Sequence, residues 1–212
     1  MPTEEDAYES WADEYDAQSL KYQWHGPAVL FGLMYPHLKP GQSVLDLGIG
    51  TGLGTLPFHK AGLRVLGIDT SPAMIERCKR RGLSWTIIRH NLTEIPWPIK
   101  DRSIDHIVSA GVTHFIGDLK GVISEAARVI RPGGFLGFDF YEITDEAIGD
   151  YAKVVDGVHE SYDGEFNVRI YRHTKQYIFD LLSEAGFQVV FDTEFLASRD
   201  HKKYFRAIVS RL

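Results

Sequence analysis

Apolar residues follow two alternating patterns along the chain. Short, uninterrupted runs of strand length alternate with longer segments in which apolar residues return every three or four positions. The runs predict strands at residues 44–47, 63–68, 84–88, 103–110, 135–140, 187–195 and 204–210. The helical spacing, with breaker or capping residues at its ends, predicts helices at 27–38, 53–61, from 72 onward, at 118–130 and at 174–185. This alternation is typical of an α/β protein with a parallel sheet.

The C-terminal part departs from the alternation in two ways. The last two predicted strands are joined by a charged turn at 197–203, which suits an antiparallel hairpin. Residues 141–173 form a long polar connection with scattered aromatic residues, which is typical of a lid or binding loop and equally compatible with an added hairpin. We expect substrate specificity to reside in this connection.

A glycine-rich turn follows the first predicted strand. Gly48, Gly50 and Gly52 alternate with larger residues, so the backbone can adopt positive φ there and a ligand can lie against the main chain. Their spacing does not fit the G-x-G-x-x-G fingerprint of dinucleotide-binding proteins in either register. Asp46 precedes the first glycine by two positions. Its carboxylate would repel a pyrophosphate but attract a ligand that carries an ammonium group.

An acidic residue also closes the second predicted strand. Asp69 follows Gly48 by about 20 residues, the position from which a carboxylate reaches the ribose hydroxyls of a bound nucleoside. The alternative role is an N-cap of the next helix, but Ser71, followed by Pro72, already supplies a cap. The sequence therefore favours a nucleoside contact for Asp69.

Composition and charge exclude several classes of protein. The formal charge of −6 argues against a protein that holds a nucleic-acid backbone. The only cysteine, Cys78, can form no internal disulfide, which fits a cytoplasmic location. The acidic N-terminus lacks the apolar segment of a signal peptide, and no run approaches the roughly 18 apolar residues of a membrane-spanning helix. The nine histidines show no metal-ligand spacing, so we expect no bound metal.

Two motifs carry a family resemblance. The D-x-G-x-G-x-G pattern that begins at Asp46 and the D-x-S-x-x-M pattern that begins at Asp69 resemble the first two motifs of class I S-adenosylmethionine-dependent methyltransferases. The resemblance implies a three-layer, doubly wound, Rossmann-like fold with a seven-stranded, mostly parallel sheet and an antiparallel C-terminal hairpin. It also implies S-adenosyl-L-methionine as the cofactor and S-adenosyl-L-homocysteine as the product.

The same resemblance assigns cofactor contacts residue by residue. They fall on the glycine turn and on the ends of the second, third and fourth strands: Asp46, Gly48, Ile49, Gly50, Gly52, Asp69, Thr70, Met74, Asn91, Leu92, Ala110 and Gly111. Asn91 stands where many relatives have an aspartate that receives the adenine amino group, and an asparagine carbonyl can still accept that hydrogen bond, though without a charge. A simple turn role for Asn91 is an equal alternative.

The N-terminal segment is rich in aromatic residues at helical spacing. Tyr8, Trp11 and Tyr15 fall on one helix face, which indicates either packing on the domain edge or a lid over the ligand. The stretch is similar to the N-terminus of a methyltransferase subgroup that includes Williams–Beuren syndrome region methyltransferase-like proteins. In that subgroup the segment covers the cofactor. The resemblance therefore favours a helical lid over residues 1–40, with Tyr15 and Tyr22 as cofactor contacts.

His114 is the candidate catalytic residue. It follows the fourth strand, at the sheet edge where ligands bind in open α/β folds, and a histidine there could take a proton from an acceptor hydroxyl or amine. A histidine that is hydrogen-bonded to backbone or simply exposed is the alternative. The region lacks the N-P-P-[YF] tetrapeptide of amino-directed DNA and glutamine methyltransferases, which lowers those substrates.

We therefore predict a single domain over residues 1–212, with a substrate cap at 141–173, that transfers a methyl group to a small molecule as a monomer or homodimer. A protein methyltransferase and a non-catalytic S-adenosylmethionine-binding module are the alternatives. A nicotinamide-dependent oxidoreductase is a weaker rival, because the dinucleotide fingerprint fails.

Overall fold

The computed structural model describes residues 15–144, 151–163, 168–198 and 203–212. The strands are β1 Ser43–Leu47, β2 Arg64–Asp69, β3 Thr86–Arg89, β4 Ile104–Ser109, β5 Ile130–Phe140, β6 Ala152–Val155, β7 Val158–Asp163, β8 Val168–His173, β9 Gln188–Ser198 and β10 Lys203–Arg211. The α-helices are α1 Tyr15–Lys21, α2 Gly26–Met34, α3 Leu56–Lys60, α4 Pro72–Lys79, α5 Lys120–Val129 and α6 Lys175–Glu184. Short 3₁₀ turns span Tyr35–His37 and Thr113–Phe115.

Seven strands form one mixed sheet in the order β3-β2-β1-β4-β5-β10-β9. The five strands from β3 to β5 pair in parallel, and β10 pairs antiparallel with both β5 and β9. The predicted fold is thereby confirmed. The order reverses between β1 and β4, and in open α/β sheets ligands bind at the carboxyl ends of the strands beside this reversal.

Apolar residues cover both faces of the sheet, which makes three layers. On one face, α5 and α6 bury an apolar stripe against the central strands, with Ile123 and Leu182 among its most buried members. On the other face, Leu30 and Met34 of α2 pack with Phe58 of α3. Parallel strands covered on both sides must be apolar throughout, which explains the uninterrupted runs that predict them.

Among the element boundaries that differ from the prediction, two have a clear physical reason. Helix α3 begins at Leu56, three residues later than expected, because residues 50–55 form turns and Pro57 has no N–H to donate to the Leu53 carbonyl. Strand β5 begins at Ile130 rather than 135, because the predicted turn is an irregularity within the strand: Gly133 has a φ of +83°, and the register with β4 shifts between Ile104 and His106. A β-carbon on Gly134 would lie 2.3 Å from the carbonyl oxygen of Asp105, so only glycine permits this approach of β5 to β4.

A second sheet lies in the long connection before α6. Strands β6, β7 and β8 form an antiparallel sheet of three strands, so the hairpin alternative is right and gains a third strand. Backbone hydrogen bonds between Tyr141 and His173 and between His173 and Ile143 tie its end to the segment that follows β5. Helix α1 lies over the turn that follows β1, where Asp16 accepts a hydrogen bond from Thr51. Tyr8 and Trp11 of the predicted N-terminal helix lie outside the described residues. None of the helices described here is long and apolar enough to cross a membrane.

Candidate functional site

A cavity of about 1240 Å³ opens at the carboxyl ends of the parallel strands, bounded by α1 and by the β6–β8 sheet. Ligand pockets usually measure roughly 300–1,000 Å³, so this cavity has room for two small molecules. Most of the residues predicted to contact a cofactor, and the candidate catalytic histidine, line it: Tyr15, Tyr22, Gly48, Gly50, Asp69, Thr70, Met74, Asn91, Leu92, Ala110, Gly111 and His114.

Three predicted contacts do not line the cavity. Ile49 belongs to the apolar core beneath the turn, where it packs over Gly67 of β2. Gly52 faces Trp85 and Cys78, which a β-carbon at this position would meet at 2.5 and 2.8 Å. The third, Asp46, lies behind the glycine turn. A cofactor contact by any of these three residues stays a prediction.

Asp46 is a buried carboxyl that supports the turn. Its Oδ2 atom accepts a short hydrogen bond from the hydroxyl of Thr55, directly ahead of helix α3. Burial raises the pKa of Asp46 to about 7, with a smaller contribution from the charge of Asp69. The carboxyl therefore links β1 to the start of α3, and its charge at neutral pH is only partial.

Gly48 and Gly50 of the turn are required for different reasons. A β-carbon on Gly48 would lie 2.5 Å from the Val112 side chain, so its absence permits close packing. Gly50, in contrast, would direct a β-carbon into open space, and it has a φ of +53°. Gly50 is thus the position at which bare main chain faces the cavity.

Asp69 lies beside this bare main chain. Its Oδ2 accepts a 2.7 Å hydrogen bond from the Gly50 amide, and its Oδ1 accepts a 3.0 Å bond from the Ser71 amide. A carboxylate offers about four acceptor sites, so further hydrogen bonds from ribose hydroxyls remain open to it. The predicted N-cap is also present, because the Ser71 hydroxyl accepts a 3.2 Å bond from the Met74 amide.

Asn91 fulfils its predicted turn role. Its Oδ1 accepts bonds of 3.0 and 2.9 Å from the amide and hydroxyl of Thr93. The residue also lines the cavity, so the adenine contact stays a prediction.

Helix α1 is fastened over the glycine turn by Asp16. One oxygen of this carboxylate accepts a 2.5 Å bond from the Thr51 hydroxyl, and the other pairs with Arg81 at 2.6 Å. Arg81 also donates to the Thr51 carbonyl at 2.5 Å. The helix thereby places Tyr15 against the cavity, where burial raises the pKa of its hydroxyl to about 12.

His114 lies within an aromatic wall of the cavity. Its ring centroid is 4.1 Å from that of Phe115, 5.3 Å from Tyr141 and 5.6 Å from Phe205, and the side chain is 9% exposed. Trp24 contacts Phe205 edge to face at 5.1 Å. His114 lines the cavity together with these aromatic side chains, and its imidazole is the group among them that is suited to general acid–base chemistry.

Sequence reasoning missed Asp139, which braces the loop that carries His114. The carboxyl is fully buried; its Oδ1 accepts a 2.7 Å bond from the Gly111 amide, and its Oδ2 has no hydrogen-bond partner among the described residues. Burial raises the pKa of Asp139 to about 7. The sequence did contain a signal, namely an aspartate within the apolar run of the fifth strand, because a carboxylate is rarely buried unless it has a structural or functional partner.

The cavity suits a nucleoside with an amino-acid end. Bare main chain at Gly50, a carboxylate at Asp69 and the apolar Met74 and Leu92 lie on one side of it. A carboxylate accepts hydrogen bonds from ribose hydroxyls, apolar surface suits an adenine, and main chain without a β-carbon lets a ligand approach closely. In the part of the chain that the structure describes, no cluster of three His, Cys, Asp or Glu side chains could hold a metal ion.

Comparisons with known proteins agree with this geometry. Residues 45–138 match the family model described as a methyltransferase domain. Over 101 residues the chain is 37% identical to demethylmenaquinone methyltransferase of Tropheryma whipplei, and this match covers 45% of this chain and 40% of that protein. Over 152 residues it is 30% identical to malonyl-[acyl-carrier protein] O-methyltransferase of Serratia marcescens, and this match covers 71% of this chain and 58% of that protein. The matched regions thus span roughly half of these relatives.

The fold is shared with solved structures. The crystal structure of Burkholderia thailandensis 1,6-didemethyltoxoflavin-N1-methyltransferase, with 1,6-didemethyltoxoflavin and S-adenosylhomocysteine bound, aligns with a TM-score of 0.71 at 16% identity, over 96% of this chain and 86% of that chain. The methyltransferase resemblance predicted from the motifs is confirmed, because residues 45–138 match the methyltransferase-domain model and a methyltransferase is 30% identical to the chain over 152 residues.

Proposed function

We propose that the protein transfers a methyl group from S-adenosyl-L-methionine to a small-molecule acceptor. The observation that carries the proposal is the juxtaposition of Gly50 main chain and the Asp69 carboxylate at the edge of a cavity large enough for cofactor and acceptor together. The methyltransferase-domain match and the names of the relatives support the same reaction.

In this proposal the chain's own residues bind, orient and enclose the reactants. When bound, S-adenosylmethionine supplies an already activated methyl carbon, so no covalent attachment to the protein is required. The glycine turn and Asp69 hold the donor side, and α1 closes over it through Asp16. Alignment of the reactants then supplies most of the acceleration.

His114 takes the proton from an acceptor hydroxyl or amine. Its place in the aromatic wall, between donor side and cap, supports this role. Asp139 acts as a positioning residue, because it holds the Gly111 amide and, through its own carbonyl, the hydroxyl of Thr113 next to the histidine.

The domain organisation follows from the same geometry. We propose one domain in which α1 and the segment to residue 40 form a lid and the β6–β8 sheet forms an acceptor cap. The cap walls favour a small acceptor over a protein segment, since Tyr141, Val168 and Ile170 enclose that end of the cavity. The relatives act on a quinone precursor and on an acyl-carrier-protein-bound malonyl group, as their names state. The formal charge of −6 argues against a nucleic-acid acceptor, and the buried free thiol of Cys78 fits the cytoplasm. A monomer or homodimer is expected.

Two experiments test the proposal. Calorimetric titration with S-adenosylhomocysteine and with NAD separates a methyltransferase from an oxidoreductase. Binding of NAD without binding of S-adenosylhomocysteine would contradict the proposal. Transfer of labelled methyl groups from S-adenosylmethionine into a broad metabolite panel tests the acceptor class. Transfer to protein in a lysate, with none to metabolites, would favour a protein methyltransferase, whereas binding without any transfer would favour a non-catalytic module.

A further inference from the structure

One cation in the cavity has no acidic partner among the described residues. Arg172 of β8 lines the end of the cavity beneath the cap, and no other Lys or Arg does so among the described lining residues. Its guanidinium carbon lies 4.7 Å from the ring centroid of Tyr141 and 4.7 Å from that of Tyr151. Contact with two aromatic rings fixes the guanidinium plane and limits its hydration.

One donor of this guanidinium, Nε, has no acceptor within the described structure. The Nε atom of Arg172 is buried without a hydrogen-bond partner, and no ion pair joins the side chain to a described carboxylate. In contrast, Arg206 nearby is paired with both Glu142 and Asp192 at 2.6 Å. A desolvated donor without an acceptor costs free energy, so Arg172 is prepared for an acceptor that a ligand supplies.

The neighbouring acidic residues do not fill this role. Glu142 is already neutralised by Arg206. Asp163 lies opposite Val168 in the β7–β8 register, four positions along β8 from Arg172, and no described ion pair joins Arg172 to it. The carboxylates of Asp163, Asp69 and Glu194 nevertheless line the same cavity, and they disfavour a ligand with two or more negative charges.

We infer that the methyl acceptor carries a single carboxylate, which Arg172 receives beneath the cap. The inference rests on the proposed function and names the substrate class of that same site. A guanidinium matches a carboxylate with two parallel N–H bonds, and its aromatic neighbours provide a flat apolar surface for the body of the acid. The carboxylate end is held at the cap, so the other end of the molecule points towards His114 and the donor side.

The test uses the full chain saturated with S-adenosylhomocysteine. Titration compares the three hydroxybenzoates with their primary amides, together with phenyl phosphate. We expect at least one acid to bind at least tenfold more tightly than its amide, and phenyl phosphate to bind no better than that acid. Equal binding of acids and amides, failure of every acid to bind, or tighter binding of phenyl phosphate would overturn the carboxylate assignment.

Variants locate the effect. Arg172→Met keeps the apolar bulk and should abolish the preference for acids, and Arg172→Lys should retain only part of it. The matched control is Arg169→Met on the same strand, whose side chain is 52% exposed and paired with Glu160 at 3.1 Å, and it should keep the full preference. A preference that survives in Arg172→Met would overturn the inference. Affinity for S-adenosylhomocysteine is measured first in each protein. A wild-type protein that does not bind S-adenosylhomocysteine would refute the proposed function itself, whereas a failure of the acids alone would refute only the carboxylate inference.

Discussion

The Gly50 amide donates a 2.7 Å hydrogen bond to Oδ2 of Asp69, which joins the turn after β1 to the end of β2. The carboxylate predicted to hold a ribose therefore also shapes the main chain against which the cofactor lies. Asp69→Ala should weaken S-adenosylhomocysteine binding by about 1.5–3 kcal/mol, the usual contribution of a hydrogen bond to a charged group, or roughly 10- to 150-fold. Calorimetry checks the affinity, and a thermal melt checks that the protein is folded. An unchanged affinity would remove the ribose role.

The lid should depend on Arg81. This side chain is about one-fifth exposed and binds both Asp16 of α1 and the Thr51 carbonyl. Arg81→Met should lower S-adenosylhomocysteine affinity by about 1 kcal/mol, near fivefold, and should act mainly by faster dissociation. Stopped-flow displacement measures that rate.

The control for the lid is the neighbouring arginine. Arg80 pairs only weakly with Glu76, at 3.7 Å, and its side chain is 64% exposed. Arg80→Met should leave the dissociation rate as in the wild type. Equal rates in both variants would mean that α1 does not gate the cavity.

His114→Gln should separate turnover from cofactor binding. General-base catalysis contributes about 10²- to 10⁴-fold, so methyl transfer to an acceptor found in the metabolite panel should fall within that range. S-adenosylhomocysteine affinity should stay unchanged, because the cofactor side is held by other residues. A variant with wild-type turnover would assign His114 to packing in the aromatic wall.

Asp139 should make stability depend on pH. Its pKa is about 7 in the folded protein and near 4 in the unfolded chain, so between these values the unfolded chain has lost a proton that the folded protein retains. The contribution of Asp139 to the free energy of unfolding therefore falls as pH rises from 4 to 7, by up to about 1.4 kcal/mol per pH unit.

Asp139→Asn keeps an oxygen for the Gly111 amide and removes the titration. In urea unfolding at several pH values, the free energy of unfolding of the variant relative to that of the wild type should rise as pH rises from 4 to 7. Other buried groups affect both proteins alike, since burial raises the pKa of Asp46 to about 7 and lowers the pKa values of His106 and His173 to about 4. Identical slopes in the two proteins would contradict the assignment.

Local patterns were sufficient to predict most of the fold. Apolar runs predicted the seven strands because both faces of a parallel sheet are buried, and Ser71 with Pro72 predicted the start of α4. The boundaries at Leu56 and Ile130 were not predictable, because they depend on contacts with distant segments, such as Asp105 beside Gly134.

The candidate site was predictable only in part. Motif spacing led to Gly50 and Asp69, since both lie at strand ends that a parallel sheet brings to one edge. It could not show that Asp46 faces Thr55 rather than the cavity, because side-chain direction behind a turn depends on the tertiary structure. Arg172 was missed for the same reason: only the fold of the cap places it beside Tyr141.

A pair of alanine substitutions can show whether bare main chain at Gly50 receives S-adenosylmethionine. Gly50 and Gly41 both have positive φ and open space at the β-carbon position, but only Gly50 lines the cavity. Either substitution should cost about 1–2 kcal/mol of stability from the left-handed backbone. We predict that Gly50→Ala loses S-adenosylmethionine binding in calorimetry while Gly41→Ala binds as the wild type does. Wild-type affinity in Gly50→Ala would contradict the account.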